Sequence, residues 1–134
     1  MLQKQQTALL SFINIVLKEE SIKEAVNMVE KQYMFTQSEG KVIERVIEDD
    51  NAAVNHMILR QTEALGEHYS NSNVYMIVVR GSVTLKLDEQ EGHTYPAGSI
   101  ITIPIKTKMN VSNELEEVLE IFVVKAPGPR TMKQ

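Results

Sequence analysis

The chain contains no cysteine, so neither a disulfide nor thiolate chemistry is open to it, and a reducing compartment, the cytoplasm, is the expected location. It also lacks any apolar run near the ~20 residues that a membrane-spanning helix requires, and no membrane partner is expected. The opening stretch "MLQKQQTALLSFINIVLKEE" is interrupted by Ser11 and Asn14 and has no small-residue cleavage site; it reads as a helix and not as a secretory signal. Positive charge is short too. Fourteen Lys and Arg face eighteen Asp and Glu, for a net charge of −4, and the densest basic spot is "KTK" at 106–108. That balance argues against a nucleic-acid partner. The six glycines are scattered at turns, so no loop cradles a phosphate. No serine and histidine sit in a strand–turn–helix context that would make a nucleophile.

What is present fits one domain of ordinary size: 134 residues, 43% of them hydrophobic and 24% charged. Over residues 1–30, Leu9, Phe12, Ile13 and Val16 recur at helical spacing. "SIKE" at 21–24 then forms a capping box, followed by an apolar stripe of Ile22, Val26 and Val29. These residues form an N-terminal helical extension that packs over its own domain or across a subunit boundary. From Lys31 the composition turns to β. "GKVIERVIE", "AAVNHMILR", "NVYMIVVRG", "SVTLKLD", "SIITIPI" and "LEIFVVKA" follow one another, separated by turn clusters such as "EDDN", "NSN", "PAG" and "NVSNE". "LDEQEGHTYPAG" reads as a hairpin loop and a turn. At least six short strands with no helical pattern between them predict a sandwich or barrel over 31–130. "APGPR" ends it, because proline donates no ladder hydrogen bond, and 131–134 are a tail.

Two spaced motifs carry a resemblance. From Thr62 through His68, Ser70 and Val74 to Gly81, the chain keeps the spacing G-x5-H-x-H-x3–4-E-x6-G. From Gly98 through Pro104, Lys106 and Met109 to Asn113, it keeps G-x5-P-x-G-x2-H-x3-N. In these motifs and their register the chain resembles the cupins. The resemblance implies an all-β fold, the cupin-type double-stranded β-helix or jelly-roll barrel, here carrying the N-terminal helical extension. In metal-binding cupins, two histidines and a glutamate of the first motif join the histidine of the second around one ion. Those positions here hold His68, Ser70, Val74 and Met109. A hydroxyl, an isopropyl group and a thioether are poor replacements for imidazole and carboxylate, so neither a metal nor another cofactor is expected.

Side chains alternate along a strand. If Val74 points inward, Met76 and Val78 follow it, while Tyr75, Ile77 and Val79 face the other way and need cover. The expected interior is an apolar pocket of Val74, Met76 and Met109 with His68 and Ser70 at a polar mouth. It is suited to a small, largely apolar molecule or simply to being filled. His56 shares parity with Arg60, and the direction of that face is open, because Met57 and Leu59 make the opposite face equally apolar. Turned inward, His56 and Arg60 would add an imidazole and a cation to the ligand-binding set. His93, beside Gly92, reads as an exposed turn residue. The leading reading is a metal-free small-molecule-binding or accessory and sensing module, acting as a homodimer. It competes with a small cupin enzyme of isomerase or oxygenase type, using His68 and a sparse metal site, and with a purely structural dimerisation module.

Overall fold

Alternation builds the barrel. In Val74–Arg80, Val74, Met76 and Val78 are buried while Tyr75 and Val79 are exposed. In Val118–Lys125, Leu119, Ile121 and Val123 are the buried set. Period-two burial of this kind makes each strand a two-faced ribbon, and two sheets then close over the apolar faces. The computed structural model describes residues 28–132, so the expected N-terminal helices lie outside the described residues. The chain divides at Gln32/Tyr33 into two compact units, and the second holds every element discussed below.

In chain order the strands are β1 (Val42–Glu48), β2 (Ala53–Arg60), β3 (His68–Tyr69), β4 (Val74–Arg80), β5 (Ser82–Leu87), β6 (His93–Pro96), β7 (Ile100–Ile103), β8 (Lys108–Ser112) and β9 (Val118–Lys125). They form a five-stranded sheet, β1-β2-β9-β4-β7, and a four-stranded sheet, β3-β8-β5-β6. All pairings are antiparallel. The core between them is built from aliphatic side chains and methionine, among them Leu59, Met76, Val83, Leu85, Val111 and Ile121. Among the described residues no helix is long and apolar enough to cross a membrane.

Six strands match the six β segments read from the sequence. Two of the remaining three correct a turn reading. His93–Pro96, expected in a loop, pairs with β5 from Ser82 to Leu85, although His93 itself is exposed. Asn110, Val111 and Ser112, expected in a turn, belong to β8. Polar and turn-forming residues are tolerated there because each strand borrows its order from β5, not from its own propensity.

The glycine positions of both motifs keep a left-handed backbone whether or not glycine occupies them. Gly81 has φ 79° and Gly98 has φ 94°, while Thr62 has φ 70° and Lys106 has φ 72°. At Gly81 the requirement is doubled: a Cβ would stand 2.2 Å from the Val118 carbonyl oxygen. Thr62 is different. Its side chain is exposed, and its turn is held by the backbone amide donating to the Asn113 carbonyl at 2.7 Å. A β-branched residue in this region carries strain on the order of 1–3 kcal/mol, of which the greater flexibility of glycine returns part. Thr62→Gly is therefore expected to stabilise the fold by about 1 kcal/mol, read from the midpoint of urea unfolding.

Candidate functional site

Both motifs converge on one end of the barrel. His68 stands opposite Met109 in the β3–β8 register, and Val74 opens β4. His68, Ser70, Val74, Met76 and Met109 line a single cavity of about 40 Å³. That brings together five of the seven residues proposed from the sequence. The cavity has room for about three water molecules, well below the several hundred cubic ångströms of ordinary small-molecule pockets. Methionine and valine side chains have filled most of the barrel.

Two of its polar groups are committed to the structure. Ser70, 4% exposed, donates its hydroxyl to the Pro104 carbonyl at 2.7 Å and accepts the Thr107 amide at 2.9 Å. It therefore stitches the first motif to the turn of the second. His68 is exposed at the mouth, with Nδ1 2.8 Å from the Gly66 carbonyl. The carbonyl can only accept, so Nδ1 carries the hydrogen, and Nε2 of a neutral ring is left as the acceptor. Two further residues on the cavity wall, Asn55 and Lys125, were not singled out from the sequence. The signal was there in parity: Asn55 alternates with Met57 and Leu59, and Lys125 with Ile121 and Val123.

His56 and Arg60 do not join this cavity. Asn55, Met57 and Leu59 take the inward face of β2, so His56, Ile58 and Arg60 point to the outer face. There His56 is fully buried, because the preceding segment covers it. Phe35, Phe122 and the imidazole form a triangular aromatic cluster: each phenyl centroid lies 4.8 Å from the imidazole, and the two phenyl rings meet edge to face at 4.9 Å. Its Nδ1 lies 2.7 Å from Glu44 Oε2 and its Nε2 2.6 Å from Glu120 Oε2. Both contacts are hydrogen bonds only when both ring nitrogens carry hydrogen, or when one carboxyl holds the proton instead.

The row continues across the sheet. Glu120 accepts from Arg80 at 3.2 Å, and Arg80 also donates to Glu39 at 2.9 Å, while Arg80 Nε is buried without a partner. Glu44, His56, Glu120 and Arg80 thus form a continuous row of polar contacts across β1, β2, β9 and β4. Thr36 and Glu39 tie the covering segment to the same row, with Arg60 donating to the Glu39 carbonyl at 2.7 Å. An open hollow of about 330 Å³ lies beside it, walled by Phe35, Val79, Arg80 and Phe122.

The Thr36 amide, the His56 ring and the Thr36 hydroxyl hold the Glu44 carboxyl below its ordinary value against the opposing effect of burial. A carboxyl depressed in the folded state contributes stability above its unfolded value of 4.5, and that contribution is lost as pH falls through the folded value. The melting temperature is therefore expected to fall more steeply below about pH 4.5 in the native chain than in Glu44→Gln. Parallel curves for the two proteins would remove Glu44 from the acid response.

No family model matches the chain. An uncharacterized protein of Methanocaldococcus jannaschii is 40% identical over 106 residues, spanning 78% of this chain and 91% of that protein. The crystal structure of that protein, described as an RmlC-like cupin family protein with a double-stranded β-helix fold, matches with a TM-score of 0.75 and covers 77% of this chain and 95% of that one. The chain belongs to the cupin superfamily. Two more distant structures share its fold. An RmlC-like cupin from Desulfovibrio desulfuricans is 21% identical, with a TM-score of 0.58 over 75% of this chain and 93% of that one. A cupin superfamily protein from Desulfitobacterium hafniense is 8% identical, with a TM-score of 0.59 over 69% and 83%.

The residues of this cupin do not fit the metal that the superfamily often holds at this end of the barrel. The Ser70 hydroxyl is already committed on both sides, Val74 has no donor, and Met109 offers only a thioether. Among the described residues no three His, Cys, Asp or Glu side chains are grouped to hold an ion.

Proposed function

We propose that this cupin works without a metal and holds a very small, largely apolar molecule at the motif end of its barrel, as a binding or sensing module. The observation that carries the reading is the cavity itself. Methionine and valine replace ligands on its wall, and a few polar residues, His68, Asn55 and Lys125, complete the lining. Small pockets with apolar walls and a few convergent polar groups recognise by shape and one or two hydrogen bonds. The cavity volume restricts the occupant to about three or four non-hydrogen atoms.

Elemental analysis of the purified chain should find no stoichiometric zinc, iron, manganese or nickel, and native mass spectrometry should find a small retained mass. About one metal ion per chain, lost in His68→Ala, would overturn the reading. A converse test uses the register. Ser70→His, Val74→Glu and Met109→His combined should create metal affinity, since with His68 they surround one cavity.

We also propose that it acts as a homodimer. Tyr75, Val79 and Ile100 lie exposed on the outer face of β4 and β7. The two edges of the large sheet differ as well. β1 carries Glu44, Arg45 and Glu48 and a register shift between Arg45 and Ile47, both of which discourage edge pairing. β7, "IITI", carries no charge. Light scattering checks this, and a 15.2 kDa particle at micromolar concentration would refute it.

A further inference from the structure

Lys125 ends β9 on the inward parity of Leu119, Ile121 and Val123. Its cross-strand neighbours are Ala53 on β2 and Val74 on β4, and its side chain lines the barrel cavity. Among the described residues, the ammonium group has neither a hydrogen-bond nor an ion-pair partner. Lys125 is half-buried, so its amine combines partial desolvation with that absence of a charged partner at hydrogen-bond distance. Burial pushes its pKa down and the charge of Arg45 adds to the effect, with Glu48 opposing in part. Those two influences, desolvation and a neighbouring cation, are the ones that turn a lysine into a nucleophile. On the same wall, the Asn55 side-chain oxygen is buried without a donor.

We propose that Lys125 is a nucleophilic amine that captures a small aldehyde or ketone in the barrel cavity as an imine. The inference rests on the reading of this cavity as a small-molecule site and names the chemical class of its occupant. The nitrogen lone pair attacks the carbonyl carbon, the π pair moves to oxygen, and that oxygen takes a proton to give a carbinolamine. Nitrogen gives up its two hydrogens in all, the hydroxyl takes a second proton and leaves as water, and the nitrogen lone pair forms the C=N bond. Amine and carbonyl become imine and water, with nothing oxidised or reduced. The unpaired Asn55 oxygen is an acceptor that a carbinolamine hydroxyl can satisfy. The ionisable groups that face the amine are Arg45 and Glu48 on β1, bonded to each other at 3.0 Å, and His68 on β3. With its Nδ1 held by the Gly66 carbonyl, His68 is left with Nε2 as the ring nitrogen that can exchange protons with a bound molecule.

Reductive trapping tests this. The full chain is incubated with propanal and cyanoborohydride from about pH 6 to about pH 9, and the propylated lysines are located by peptide mapping. Lys125 should label several-fold faster near neutrality than the exposed Lys41 and Lys86. The advantage should shrink as pH rises. Labelling of Lys125 no faster than those two lysines overturns the proposal. Lys125→Met should lose the fast-labelled peptide and melt no lower than the native chain, which separates lost chemistry from lost folding. Xenon, which enters small apolar cavities, reports the cavity independently by its NMR shift. Xenon bound with Lys125 unlabelled leaves the small-molecule reading standing and removes the imine. Neither xenon nor label removes both.

Discussion

Replacing His56 by leucine is expected to destabilise the fold by about 3 kcal/mol, the lower end of the loss when one partner is removed from a buried carboxylate network. The ring is fully buried, but its partners are not: the Glu44 side chain is 28% exposed and the Glu120 side chain 12%. Water therefore screens part of the interaction and holds the loss near that lower end. The penalty arises because two carboxylates, brought to the same site by strand pairing, lose the donor between them, while the Phe35 and Phe122 rings lose a face. Urea unfolding measures the loss. If the damage is electrostatic, adding Glu44→Gln and Glu120→Gln to His56→Leu should recover much of it, since neutral amides no longer repel. A His56→Leu chain with an unchanged midpoint would show that the outer row contributes nothing to stability.

Met76→Ala is expected to be comparable or larger, about 2–5 kcal/mol. Met76 has 0% exposure at the centre of β4, and its flexible thioether fills irregular space that alanine would leave empty. The variant also enlarges the cavity, because Met76 forms part of its wall. Stability and binding should therefore move in opposite directions: a lower melting temperature and easier entry for small apolar molecules. Unchanged melting would place this side chain outside the core and reverse the parity of the strand.

The parity of β4 was legible once the motif put Val74 inward, because Met76 and Val78 must then follow it while Tyr75, Ile77 and Val79 take the other face. Motif spacing was legible for a related reason. A left-handed turn constrains backbone and not chemistry, so the register survives even where Thr62 and Lys106 replace glycine. Lys125 shares the parity of Ile121 and Val123, but a lone lysine at a strand end is ordinarily solvated, so parity alone does not mark it as a cavity residue. Three features were decided only by the tertiary structure. β3, β6 and β8 are too short, or too polar, to show a period of their own, and they are strands because β5 and β8 offer hydrogen bonds. The inward or outward direction of His56 turned on which of two equally apolar faces of β2 met the second sheet, a choice that composition leaves balanced. Its partners, Glu44 and Glu120, lie 12 and 64 residues away along the chain and became neighbours only through the order β1-β2-β9. The cavity, too, is a remainder of packing: its volume is what many side chains together fail to fill, a sum that no single position in the sequence contains.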